Sequence, residues 1–150
     1  MEGMNRVMAV WQLVRGQNLL LIFVAAWVGG VLGASDFQVP AALLGGFCAM
    51  CLGAYGNAIN DFYDQKLDAV RKRHRPIPSG RLSPRAATVW TAVFGACALG
   101  SGLCLYPLVS AVVCFTLASL WIYSHKLKGW RGTGHVLVAG FSGMVFVFGA

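Results

Sequence analysis

The sequence predicts an all-α fold, a polytopic transmembrane helix bundle of about five spans, built as a single membrane domain over 1–150 with its N-terminus in the cytoplasm. Three observations predict it. Hydrophobic residues make up 57% of the chain and charged residues only 11%, and the mean hydropathy is +0.65, far from the composition of a soluble domain. Apolar runs close to a membrane thickness alternate with short polar connections. All twelve basic residues fall in alternate connections, so one side of the bundle carries every positive charge.

Met1 to Gln17 is a mildly amphipathic lead. Its Val7, Val10, Trp11 and Val14 recur at roughly helical spacing beside Arg6 and Arg15, a pattern suited to a helix in the membrane interface. It lacks the short apolar core and small-x-small site of a cleavable signal peptide. Asn18 to Gly33 is the first apolar run, one membrane thickness once the preceding residues extend its helix. Ser35 to Gln38 is a short turn with Asp36 its one charge. Pro40 opens the second span, since proline fits a first helical turn, and Ala41 to Ile59 crosses back to deliver Asn57, Asn60 and Asp61 to the other side. Ser83 and Pro84 read as the N-cap and first residue of a third span, about Arg85 to Leu105. Tyr106 and Pro107 make a tight uncharged turn before a fourth span, about Leu108 to Ser124. Its end, with Trp121, Tyr123 and His125, suits the interface. A polar segment, His125 to Gly134, leads into a fifth run of 18 residues, Thr133 to Ala150.

Two basic residues precede the first span, seven lie between the second and third, and three lie between the fourth and fifth. The positive-inside rule places these connections in the cytoplasm. Topology thus largely accounts for the net charge of +7 and removes most of the case for nucleic acid. Cys48, Cys51, Cys97, Cys104 and Cys114 all lie inside apolar segments, so the Cys48-x-x-Cys51 pair reads as small buried hydrophobes. The 19 glycines, among them Gly46, Gly95, Gly100 and Gly102, read as close helix contacts. No Walker pattern occurs, and His74, His125 and His135 are isolated.

Chemistry concentrates in Tyr55 to Arg85, which holds three of the five acidic residues and seven of the twelve basic ones. Asn57 and Asp61 are four apart, as are Asn60, Asp64 and Asp68, so on a helix each set lines one face. These are hard oxygen donors without a Cys or His pair, a set that suits Mg²⁺ held by carboxylates, waters and phosphate oxygens. Arg71, Lys72, Arg73 and Arg75 follow at once, then a Pro-x-Pro-Ser-Gly turn, then Arg81 and Arg85. Cations beside such a cluster neutralise the same phosphates. The pattern therefore reads as a magnesium-diphosphate site at a membrane surface. A solvated topogenic loop accounts for the basic residues alone, but bare carboxylates beside a bilayer are costly and have a purpose.

The run N-D-x-x-D-x-x-x-D at Asn60 to Asp68, followed by RPIPSGR at Arg75 to Arg81, resembles the first aspartate-rich motif of the UbiA-type membrane prenyltransferase superfamily. Tyr123-Ser124 with Lys126, Leu127 and Lys128, then Gly134 and an apolar run, is similar to the family's fourth-helix exit and following loop. The resemblance covers essentially the whole chain and about the first half of the family's usual length. It implies a helical bundle whose cavity opens to lipid and holds a prenyl diphosphate through Mg²⁺. The diphosphate leaves, an allylic carbocation forms, and a small lipid-soluble acceptor takes the prenyl group. Carried onto this chain, Asn60, Asp61, Asp64 and Asp68 are metal ligands, and Asn57, Asn60, Asp61, Lys72 and Arg75 meet the diphosphate. Asp64, Asp68, Tyr123 and Lys126 are the implied catalytic residues.

The acceptor so implied is of quinone-precursor, chlorophyll or glycerol-phosphate type, with RPIPSGR leaning away from 4-hydroxybenzoate. The implied setting is a bacterial or archaeal cell membrane, or an organellar inner membrane, with the polar site facing the cytoplasm. Two departures stand out. After Asp68 there is no Asp or Glu at all, so the family's second aspartate motif is absent, and His135 stands where the family has Asn. A longer chain, or a homo- or hetero-oligomer, is expected to complete the site. The rival expectation is a non-catalytic half-bundle acting as partner or remnant.

Overall fold

The computed structural model describes residues 2–33 and 38–127, and the expected fifth span, with Lys128, Arg131 and His135, lies outside the described residues. The described residues are helical throughout apart from short connections, with no strand among them. Helix α1 spans Glu2–Val14, α2 Gly16–Gly33, α3 Val39–Arg71, α4 Pro84–Leu105 and α5 Pro107–Ile122, and a π-helical turn, Tyr123–Leu127, continues α5. Among the described residues three helices (α3, α4, and α5 with its π turn) are long and apolar enough to cross a membrane, and α1 with α2 makes a fourth if the bent pair is one span.

The lead and first apolar run do not form one continuous helix. They meet at an angle of 54°, and Arg15 between them has φ 56°, a left-handed conformation that costs an L-residue about 1 kcal/mol. Its amide donates to the Gln12 carbonyl at 3.3 Å, and its own carbonyl accepts from Asn18 at 2.8 Å, so one residue closes α1 and opens α2. Gly16 follows because the Trp11 indole occupies the place a Cβ would take.

Helix α3 is the axis of the bundle. It keeps its course for 33 residues, about 50 Å at 1.5 Å per residue, so the polar residues after Ile59 continue the helix of the second span, as their spacing predicts. Its apolar part packs on α4 and α5 through Cys48, Cys51, Leu52, Ala98 and Val113, and on α2 and α4 through Leu19, Ala54, Ile22 and Phe94. Cys48 and Cys51 are buried free thiols, as expected of small hydrophobes, and the Cys48 thiol donates to the Ala98 carbonyl at 3.4 Å, while Cys104 and Cys114 are exposed. Gly46 lets α2 approach, its missing Cβ lying 3.0 Å from the Phe23 ring and 3.2 Å from the Phe23 carbonyl. Gly100, by contrast, meets nothing within 4 Å among the described residues.

The start of α4 is built as its sequence implies. Ser83 Oγ accepts from the Ala86 amide at 3.2 Å, and Pro84 occupies the first turn. Tyr106 alone joins α4 to α5. Helical structure runs past Ser124 through His125 and Lys126, so the expected polar loop begins later than His125.

Substituting Gly46→Val inserts a branched side chain against Phe23, including its backbone. The expected loss is about 2 kcal/mol of unfolding free energy, measured by SDS titration of the purified chain in detergent micelles.

Candidate functional site

The site grows from the last three turns of α3 and the connection that folds back against them. Residues 72–83 form a compact set of turns. The Lys72 amide donates to the Asp68 carbonyl at 2.7 Å, ending α3, and the Ser79, Gly80 and Leu82 amides donate to Arg75, Ile77 and Pro76 carbonyls at 3.0 to 3.1 Å. Gly80 has φ 76°, a conformation that glycine adopts without steric cost. Ile77 and Leu82 anchor these turns in a small core with Ala9 and Leu13 of α1, Ala58 of α3 and Ala87 of α4.

This folding brings Arg75 back onto α3. Its Nη1 donates to Asp61 Oδ1 at 2.6 Å and to Asp68 Oδ2 at 2.7 Å. Both carboxylates are buried, at 5% and 3% exposure. Two carboxylates out of water repel each other and lose hydration, and a guanidinium between them offsets both costs. A second cation reaches the same acid, with Arg15 Nη2 3.6 Å from Asp61 Oδ1.

The remaining polar residues of the helix face differ in surroundings. Asn60 and Asp64 are half-buried, and Asn60 Nδ2 donates to Asp64 Oδ2 at 3.4 Å. Asn57 Nδ2 donates to the Val14 carbonyl at 2.8 Å, tying the end of α1 to α3. Lys72 is exposed at the end of α3. Tyr63 meets the π turn edge-on through His125, ring centroids 5.3 Å apart, and His125 stacks on Trp121 at 5.3 Å and 4°. That contact brings the end of α5, with half-buried Tyr123 and exposed Lys126, to the same end of the bundle as Asp61 and Asp68.

Among the described residues no group of three or more His, Cys, Asp or Glu side chains is arranged to hold a metal ion. The donor set still fits Mg²⁺ in the form this ion prefers. Asn60 and Asp64 offer hard oxygens on a half-buried surface, and waters and phosphate oxygens complete such a shell. An all-protein cage does not fit. Arg15 is the participant that sequence reasoning passed over as one more basic residue. The signal was the Arg15-Gly16 step between an amphipathic run and an apolar one. Arg81 is better placed than its sequence suggested: its guanidinium donates to Gln12 Oε1 at 2.7 Å, to Ser79 Oγ at 3.0 Å and to the His74 carbonyl.

The family model described as the UbiA prenyltransferase family matches residues 8–150. The chain belongs to this family. Its curated relatives include the digeranylgeranylglyceryl phosphate synthase of Natronomonas pharaonis, 37% identical over 97% of this chain and 53% of the relative. The protein of the same name from Halobacterium salinarum is 40% identical over 93% of this chain and 51% of the relative. That of Methanopyrus kandleri is 35% identical over 95% and 52%. This UbiA-family chain thus spans about half the length of the curated relatives it matches. A solved structure from work on digeranylgeranylglyceryl phosphate synthase in membranes is similar with a TM-score of 0.90 and 25% identity, over 96% of this chain and 52% of that one. The all-helical membrane architecture expected of the family is therefore the architecture found.

Removing Arg75 leaves two buried carboxylates facing each other. Arg75→Ala is expected to lower stability by about 3 kcal/mol, and adding Asp61→Asn and Asp68→Asn to the same chain should recover most of it. Chemical unfolding of the three proteins in detergent checks both halves of this expectation.

Proposed function

We propose that this chain is the diphosphate-binding half of a prenyltransferase, moving a prenyl group from a prenyl diphosphate to a glycerol-phosphate type lipid acceptor. The observation that carries the proposal is the juxtaposition of an acidic helix face with Arg75, at the end of an apolar bundle, in a member of the UbiA family. The names of the relatives support the glycerol-phosphate acceptor over the quinone-precursor and chlorophyll types. The polar site faces the cytoplasm in this reading, and the rest of the active site comes from further chain or from a partner subunit.

The roles follow from the surroundings of each side chain. Asn60 and Asp64 would hold Mg²⁺, with Asp61 and Asp68 behind them on the same helix. The ion supplies charge neutralisation for the diphosphate as it leaves. Arg75 exchanges its carboxylate partners for diphosphate oxygens, which keeps cationic charge in place where negative charge develops. Lys72 adds charge from the exposed end of α3, and Asn57 holds the end of α1 against the site. Tyr123 and Lys126, on the π turn, border the diphosphate from the other side. The apolar bundle takes the isoprenoid tail and keeps water from the allylic cation.

Asp64 is half-buried and accepts from Asn60, whereas Asp68 is buried and bridged to Arg75, so the two acids bear differently on binding and on folding. Asp64→Ala is expected to weaken binding of a Mg²⁺-loaded prenyl diphosphate by about tenfold or more, the cost of one charge-assisted contact. Asp68→Ala should lower both affinity and stability. Titration calorimetry of the chain in lipid nanodiscs measures the affinities. Full binding by Asp64→Ala would remove it from the site, and no binding by the wild-type chain favours the non-catalytic half-bundle.

A further inference from the structure

The exchange proposed for Arg75 has an electrostatic consequence at Asp61, and the structure holds a residue suited to meet it. Asp61 is 5% exposed, and an uncompensated buried carboxylate is strongly unfavourable. If Arg75 turns to a diphosphate, Asp61 loses its 2.6 Å partner. Arg15 Nη2 already stands 3.6 Å from the same oxygen, Oδ1, on the side of α1 and α2. Its backbone is held in the left-handed region at φ 56°, where glycine would be favoured. That break is fastened in place by three independent contacts. Asn57 donates to the Val14 carbonyl, Arg81 donates to Gln12, and the Trp11 ring covers Gly16. A backbone conformation disfavoured for arginine, braced from several sides and aiming a guanidinium at a buried acid, is explained by a requirement for that guanidinium.

We propose that Arg15 is a positioning residue of the diphosphate site, the second cation on Asp61, which keeps that carboxylate compensated while Arg75 turns from it to the diphosphate. This rests on the diphosphate-binding reading of Arg75. Arg15 does not touch substrate. It acts through Asp61, and so sets how readily Arg75 is released.

The test is built on Arg15→Gly, which suits the left-handed backbone and removes the side chain with its guanidinium, and on Arg15→Lys, which returns a cation. The first readout needs no ligand. Arg75→Gln should shift the SDS unfolding equilibrium about tenfold further in the Arg15→Gly background than in the wild type, because both cations on Asp61 are then gone. Arg15→Lys should abolish most of this excess. Additive effects would overturn the proposal. If the Arg15→Gly, Arg75→Gln chain does not fold, the Arg15→Lys, Arg75→Gln chain should, and failure of both overturns it. The second readout is affinity for Mg²⁺-loaded geranylgeranyl diphosphate in nanodiscs. It should fall about fivefold in Arg15→Gly, the range of a partly exposed ion pair, recover in Arg15→Lys, and be insensitive to Arg15→Gly once Asp61→Asn is present. A fivefold loss that persists with Asp61→Asn overturns the route through Asp61. Absence of binding by the wild type overturns the proposed function instead, and the unfolding cycle then decides the compensation of Asp61 by Arg15 on its own.

Discussion

The bridge from Arg75 to Asp61 and Asp68 is the constraint on which the rest of this end of the molecule depends. It pins a connection of turns to a helix across 14 and 7 residues of sequence. The turns cannot leave without exposing Ile77 and Leu82, which share a core with α1 and α4. Conversely, α3 cannot lose its last turns without stranding two acids. Helix end, turns and core therefore hold one another through a single guanidinium nitrogen shared by two carboxylates.

A buried ion triad is a poor device for stability alone, since apolar residues of similar volume do as well or better. Its retention at the mouth of an otherwise apolar bundle has a different logic. Charge assembled before a ligand arrives does not have to be gathered from water when it is needed, and that preorganisation is what an electrostatic site supplies. The aromatic contact between Tyr63 and His125 extends the same principle to α5, because it fixes the π turn on which Tyr123 and Lys126 ride. Single π turns of this kind are frequent at functional sites.

Much of this was legible in the sequence because it rests on local chemistry. Ser83 and Pro84 announced the start of α4, Tyr106 and Pro107 announced a turn, and spacings of three and four put the acids on one helical face. The long-range pairings were not legible. Nothing in residue order says that Arg75, and not Arg71 or Arg73, folds back on Asp61 and Asp68, because that choice is made by the turn at 72–83 and the burial of Ile77. The break at Arg15 was hidden for a related reason. An arginine is a poor sign of a left-handed residue, and its conformation is set by the packing of Trp11 and the bond from Asn57. That the helix carrying the acids continues unbroken as far as Arg71 was less visible, because polar residues ordinarily mark the end of a span, whereas here Asp61 and Asp68 are met by an arginine brought back from the following turns.

The unbroken length of α3 gives the bundle a scale of depth. Asn60 stands about 30 Å along the helix from Val39, close to the full thickness of a hydrocarbon core. The helix carries no charge before it and all of its charges after it, on one rigid rod. An amphiphile lying alongside would have its greasy and ionic parts sorted by height, with the bond between them drawn to the level where the rod changes character. Chain length could then vary at the oily end without disturbing the ionic end, so that recognition of the head and tolerance of the tail are set independently.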